Sequence, residues 1–145
     1  MDSWKTYFYG VTLQHNHNPL RFNSQYNSFT GGKIINNFGP VRIGRGNLKN
    51  SLIANNDHFG MDANLASEIE NNRFINNDGY LSSSSNSGVT ALVRGNRFEG
   101  NKGGLEVRGQ DTVVELNHFE GNLPFESGSR LSAVVVVEGC GPIFS

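Results

Sequence analysis

The stretch GNRFEGNKGGLEVRG, from Gly95 to Gly109, is echoed soon afterwards by LNHFEGN, from Leu116 to Asn122. The shared phrase Asn-x-Phe-x-x-Asn invites a search for earlier copies, because a fixed period marks a repeat architecture. Anchored on Asn101, equivalent residues stand at Asn16, Asn37, Asn55, Asn77 and Asn122, at intervals of 21, 18, 22, 24 and 21 residues. Three residues before the anchors stand Leu13, Ile34, Leu52, Phe74, Phe98 and Phe119, all apolar. Four residues after them come Leu20, Val41, Phe59, Leu81, Leu105 and Glu126. Six after come Phe22, Ile43, Met61, Ser83, Val107 and Gly128. The last two sets alternate with polar neighbours, as in LEVRG and VRIG, which is the period of a strand with one buried face.

A unit of about 21 residues with short strands and Asn or Gly at its corners is one coil of a solenoid. Stacked coils place each strand beside its equivalent, about 4.8 Å away, in a parallel sheet. The sequence therefore predicts an all-β, right-handed parallel β-helix of six to seven coils, forming a single domain over residues 1–145. The anchor Asn residues serve this fold as corners. Asn tolerates left-handed backbone angles, bonds to nearby main-chain groups, and pairs with itself in stacked ladders.

Composition agrees. The chain has 145 residues, of which 20 are Asn and 18 are Gly, so turn formers fill about a quarter of it and helices are disfavoured. A formal net charge of -1 gives no reason to expect nucleic acid. The single Cys140 excludes an internal disulfide and a cysteine metal cluster, and the repeated Asp-rich motif of calcium-binding rolls is absent. No cofactor is expected. No apolar run approaches the roughly 20 residues that span a bilayer, and MDSWKTYFYG does not read as a signal peptide. Neither end offers an amphipathic helix as a cap, which points to a piece of a longer solenoid or to partner chains over its ends.

An Asn-rich coil with the phrases NRFEGN and NHFEGN resembles the right-handed parallel β-helix of the pectate-lyase-like superfamily, which includes polysaccharide lyases, glycoside hydrolases and bacteriophage tailspikes. Residues 78–119 are further similar to alginate-lyase and chondroitinase-B-type enzymes, in which a lysine of a Ser-rich strand and an arginine serve catalysis. Arg108, in LEVRG, falls near that arginine, whereas LSSSSNS (Leu81–Ser87) carries no lysine. The resemblance implies a polysaccharide partner and a virion or extracellular setting.

A glycan groove would run along an outward column. The fifth position after the anchors reads Arg21, Arg42, Gly60, Ser82, Glu106, and the seventh includes Asp62, Ser84 and Arg108. Small residues between charged ones predict a dip rimmed by Arg42, Asp62, Glu106 and Arg108, with Asp57 and His58 at the adjacent corner. Asp62 and Glu106, two rungs apart or about 9–10 Å, suit an inverting glycosidase pair and are the candidate catalytic residues. Arg42, Tyr80, Arg108 and His58 are the candidate substrate-binding residues, Tyr80 as a stacking platform. Trp4, Tyr7, Tyr9 and Tyr26 are the other aromatics suited to stacking. Glu99 and Glu120 have the adjacent-rung spacing of a retaining pair, but beside Arg73, Arg97 and His118 they read as a salt-bridged ladder. His15 and His17 read as a polar corner rather than a metal pair.

The missing lysine and the lack of a tight acid pair favour binding or structure over catalysis. The expectation is a polysaccharide-recognition protein that binds and, if enzymatic, cleaves a surface glycan. The competing reading is a non-catalytic structural protein of a virion. Finally, Ile35, Ile53 and Ile75 occupy consecutive rungs beside the buried column. An outward apolar stripe of this kind would suit the seam of a homo-oligomer, a trimer by resemblance to tailspikes.

Overall fold

The computed structural model describes residues 5–22, 26–44, 46–64, 67–85, 90–103, 105–109, 112–127, 130–132, 135–138 and 143–144. The first rung contains β1 (Lys5–Tyr9), β2 (Thr12–Gln14) and β3 (Leu20–Phe22). The second repeats them as β4 (Tyr26–Thr30), β5 (Lys33–Ile35) and β6 (Val41–Ile43). The next is β7 (Gly46–Lys49), β8 (Leu52–Ala54) and β9 (Phe59–Asn64), followed by β10 (Glu68–Glu70), β11 (Arg73–Ile75) and β12 (Gly79–Ser85). Then come β13 (Ala91–Arg94), β14 (Arg97–Glu99) and β15 (Leu105–Gly109). The far end is built from β16 (Thr112–Glu115), β17 (His118–Glu120), a hairpin of β18 (Phe125–Ser127) and β19 (Arg130–Ser132), β20 (Val135–Glu138) and β21 (Ile143–Phe144).

From β1 to β17 every third strand pairs with its equivalent in the next rung, and β20 and β21 continue two of the resulting three parallel sheets. Their orders are β1-β4-β7-β10-β13-β16-β21, β2-β5-β8-β11-β14-β17 and β3-β6-β9-β12-β15-β20. The chain is an all-β parallel solenoid, as the repeat predicts. About four turns are enclosed by neighbours on both sides in all three sheets, fewer than the six to seven coils expected, and the remaining rungs each lie at an end.

The core is a set of stacked columns. Ile34, Ile53, Phe74 and Phe98 are buried one above another, flanked by partly buried Leu13 and Phe119. The Phe74, Phe98 and Phe119 rings lie parallel with centroids 4.7 Å apart. The third member of this column is Ile53, not Leu52, and the third ladder residue is Asn56, not Asn55. The slip arises because Leu52-Ile53 and Asn55-Asn56 each offer two adjacent residues of the right type. Backbone angle separates the roles. Asn36, Asn55 and Asn76 take φ of 53°, 54° and 50°, one residue before Asn37, Asn56 and Asn77. The first Asn of each pair turns the corner, and the second inserts its side chain between rungs.

The inserted side chains form a continuous ladder. Asn16, Asn37, Asn56, Asn77 and Asn101 each donate from Nδ2 to the Oδ1 of the next member, ending at Asn122, over 2.8–3.0 Å. Their backbone N–H groups donate to the same oxygens, and the second amide hydrogen of Asn56 and Asn77 goes to the carbonyls of Ile34 and Ile53. An amide has two acceptor sites and two donor hydrogens, and here all four are used. Burial of Asn77 is thus free of the penalty that an unpaired polar group would carry.

A second ladder, not anticipated from the sequence, stands at the other corner. Ser51 N–H donates to Asn72 Oδ1, Asn72 to Asn96 and Asn96 to Asn117. Its left-handed corner column is Gly10, Gly31, Asn50, Asn71, Gly95 and Leu116. Leu116 alone in this column is neither Gly nor Asn; it holds φ of 56° and is 67% exposed. A left-handed angle costs an ordinary L-residue about 1–2 kcal/mol. Leu116→Gly should therefore raise the unfolding midpoint by about 1 kcal/mol's worth or slightly less, since glycine also loses more chain entropy. An unchanged or lowered urea midpoint would contradict the reading of strain.

The hairpin explains one lapse of the periodicity. Glu126, which fails the apolar pattern, lies in β18, outside the three parallel sheets. The third sheet receives its next strand only at β20, where Val135 and Val137 pair with Leu105 and Val107.

Candidate functional site

The candidate residues lie on strands of the third sheet and, for His58, on the corner before β9; the sheet begins just after the Asn16–Asn122 ladder. The turn between ladder and sheet shortens along the axis. Val41 lies four residues past Asn37, whereas its partner Phe59 lies three past Asn56, and Gly79, which pairs with Phe59, lies two past Asn77. The tightest turn needs glycine: Gly79 has φ of 146°, and a Cβ there would sit 1.9 Å from the Phe59 carbonyl oxygen.

This shortening resets the columns. Arg21, Arg42, Gly60 and Tyr80 form one, and Asp62, Ser82, Glu106 and Val136 form another. Asn64, Ser84, Arg108 and Glu138 form a third. The expected grouping of Gly60 with Ser82, and of Asp62 with Ser84 and Arg108, is thus replaced. A fixed offset from the anchors does not hold. The turn loses one residue at Asn56 and another at Asn77, so β12 sits two residues along β9 from the register that a constant offset from Asn55 and Asn77 would give. The correction brings Asp62 and Glu106 into a single column with Ser82 between them, and sets Tyr80 two rungs from Arg42.

Arg42 is exposed, and its Nη1 lies 3.6 Å from where a Cβ on Gly60 would be. The guanidinium therefore lies across the next rung, over the bare backbone. Arg is always charged and presents five N–H donors in a planar fork suited to oxyanions and to vicinal acceptors. The side-chain placements of Asp62, Tyr80, Glu106 and Arg108 lie outside the described residues. For these four the strand register is the structural result.

His58 is exposed at the corner before β9, and its carbonyl accepts the Val41 N–H at 2.8 Å. Asp57, on the same corner, is exposed and donates its backbone N–H to the Asn37 carbonyl. Both stand at the edge of the face rather than on its strands. His15 and His17 have separate structural roles: His15 takes the left-handed corner at φ 56°, and His17 stacks on Phe38 with centroids 4.7 Å apart. Among the described residues no group of three or more His, Cys, Asp or Glu side chains could hold a metal ion.

Glu99 and Glu120 occupy adjacent rungs, flanked by cations as expected. Glu99 contacts Arg73 at 3.6 Å and also Arg97, which in turn reaches Glu120 at 3.2 Å. His118, and then Arg97, hold the Glu120 carboxyl below the usual glutamate range. A carboxyl kept ionised in this way is unsuited to act as a general acid. On the first sheet Lys49 lies between Glu68 and Glu70, and the Glu68 hydrogen bond raises its pKa.

The apolar stripe also changes. Ile53 is fully buried in the core, so it cannot contribute to an outward seam. The column beside the buried one reads Gln14, Ile35, Ala54, Ile75, Glu99, Glu120, with Ile35 and Ile75 half-buried. The reason is the same single-residue slip that exchanges Leu52 for Ile53.

No protein-family model, curated protein or solved structure matches the chain. Fold and register together define its class as a parallel β-solenoid, with Arg21 and Arg42 exposed on the third sheet among the described residues.

Proposed function

We propose that this solenoid recognises a polysaccharide along the outer face of its third sheet, in the manner of the pectate-lyase-like β-helices and tailspikes that its repeat resembles, at a virion surface or outside the cell. The observation that carries the reading is the Arg42 guanidinium lying over Gly60, beside a column that carries Asp62, Ser82 and Glu106. An extended sheet of parallel rungs offers equivalent positions every 4.8 Å or so, a spacing over which a linear polymer can make repeated contacts. Hydroxyl-rich chains suit arginine forks, carboxylates and amides, and an aromatic such as Tyr80 adds a stacking surface.

Cleavage would require Asp62 and Glu106 to act as base and acid. Two rungs place their backbones about 9–10 Å apart, near the upper end of the roughly 6.5–9.5 Å separation of inverting carboxylates. Wild type, Arg42→Ala, Tyr80→Ala, Asp62→Asn and Glu106→Gln are to be compared on a panel of acidic and neutral bacterial polysaccharides. Retardation of one polymer, weakened at least five-fold by Arg42→Ala and by Tyr80→Ala with unchanged melting temperature, is expected. Reducing ends released by wild type but not by either carboxylate variant would establish cleavage. Equal binding by wild type and both binding variants would remove the face from consideration.

A structural role is the second reading, favoured by the two Asn ladders, which make the solenoid a stiff spacer whatever its surface binds. Self-association through the half-buried Ile35 and Ile75 belongs to both readings, with a trimer the expected state. Sedimentation should then show an oligomer that Ile75→Asp dissociates. A monomeric wild type would rule out the seam.

A further inference from the structure

The first sheet carries a cavity of about 390 Å³ on its outer face, on a different sheet from the candidate columns. Its lining includes Lys5, Tyr7, Tyr26, Ser28 and Asn47. Strand alternation sends these side chains outward while Phe8, Phe29 and Leu48 enter the core. Register then assembles the wall. Lys5 pairs with Tyr26, and Tyr7 pairs with Ser28, which pairs with Asn47. The floor beside them is Gly46, where φ is 143° and a Cβ would lie 1.8 Å from the Asn27 carbonyl oxygen, so only glycine fits.

The aromatic walls are unusually open. Tyr7 is 56% and Tyr26 44% exposed, and Tyr7 lies parallel to Tyr9, with centroids 6.2 Å apart. Exposed tyrosines in a cluster offer apolar faces with a polar tip, the property that suits sugar rings and other amphipathic ligands. The polar groups are mostly donors. Asn47 Oδ1 accepts the Glu68 N–H at 2.9 Å, which fixes the amide orientation and leaves the NH₂ end as the donor. Lys5 contributes an ammonium and Ser28 a hydroxyl. The described residues of the lining include no carboxylate. The volume falls near the lower end of the roughly 300–1,000 Å³ typical of small-ligand sites.

We infer that this cavity is a second saccharide subsite, taking a sugar ring that bears a phosphate or sulfate ester. The ring lies against Tyr7 and Tyr26, and the tetrahedral oxyanion meets the Lys5 ammonium, the Asn47 amide and the Ser28 hydroxyl. Three donors of different types match the three free oxygens of such an ester, and lysine serves phosphate as a point charge. The inference extends the glycan-recognition reading to a different face and ligand chemistry.

The test follows the tyrosine ring resonances of the whole chain during titration with glucose 6-phosphate, glucose or inorganic phosphate. Glucose 6-phosphate should move the Tyr7 and Tyr26 signals and saturate at least five-fold more tightly than either other probe, with the advantage shrinking in high salt. Lys5→Gln should erase the preference for glucose 6-phosphate over glucose, Tyr26→Ala should weaken all sugar binding, and Arg42→Ala should change nothing. Still resonances, equal saturation by glucose and glucose 6-phosphate, or an unaltered Lys5→Gln variant each overturn the subsite. If a polysaccharide binds through Arg42 while these resonances stay still, the subsite falls and the third-sheet reading stands. If the resonances respond while no polymer binds, the reverse holds.

Discussion

Asn77→Ala is expected to destabilise the protein by about 3–5 kcal/mol, because four hydrogen bonds leave with one side chain and each buried group left unpaired costs about 1–3 kcal/mol. The Asn56 backbone N–H and one hydrogen of its amide lose their acceptor, and the Ile53 carbonyl and Asn101 Oδ1 each lose a donor. Asn77 is 3% exposed, so water cannot easily substitute. Against a total stability of about 5–15 kcal/mol, this approaches loss of the fold. Its neighbour supplies the control. Asn76 is exposed and serves the corner through its φ of 50°, a conformation that glycine adopts freely. Asn76→Gly should therefore stay within about 1 kcal/mol of wild type. Urea unfolding of both variants decides the matter: equal midpoints would mean that the ladder contributes no more than the corner.

Phe98→Ala is the second large effect. Phe98 is 2% exposed and sandwiched between Phe74 and Phe119, both parallel to it at 4.7 Å. Truncation removes ring burial on both sides and opens a cavity that neighbouring rungs cannot fill without breaking strand register. The expected loss is about 3–5 kcal/mol. Phe119→Ala should cost distinctly less, because that ring is only partly buried at the end of the stack. A Phe119 variant as damaging as the Phe98 variant would show that the far end is packed more tightly than its exposure indicates.

The two variants bear on function through rigidity. Recognition of a polymer by a sheet face requires the rungs to hold their spacing, and ladder and stack are what fix it. Neither residue touches the outer face, so a polymer-binding defect in Asn77→Ala should follow its unfolding curve. Arg42→Ala, by contrast, should lose binding while remaining fully folded.

Much of this architecture is legible in the residues themselves. The recurring Asn with an apolar residue three positions earlier already announces a coil, and the alternation in VRIG and LEVRG announces strands with one buried face. Chemistry makes this local: corners need residues that tolerate positive φ, and buried columns need apolar side chains of similar size. The second ladder was also within reach, since Ser51, Asn72, Asn96 and Asn117 recur at 21, 24 and 21 residues. Two Asn-Asn pairs within one coil, at 71–72 and 76–77, signal two corners.

Register was decided only by the tertiary structure. Where two adjacent residues satisfy the same requirement, as with Leu52-Ile53 and Asn55-Asn56, the choice depends on the rungs above and below. Asn56 reaches Asn37 and Asn77 at 2.8 Å each, while Asn55 makes the exposed corner. That choice withdrew Ile53 into the core and put Ala54, itself buried, in the neighbouring column. Turn length acted similarly on the candidate site, placing Tyr80 in the column of Arg42 and Asp62 in that of Glu106. The first-sheet cavity was equally hidden, because Lys5, Tyr26 and Asn47 belong to three different rungs and meet only when the coils stack. Sequence determines what each coil can bury, because burial depends on the residue and its periodicity. Only the stacked rungs determine which outward residues become neighbours, because that depends on every turn length between them.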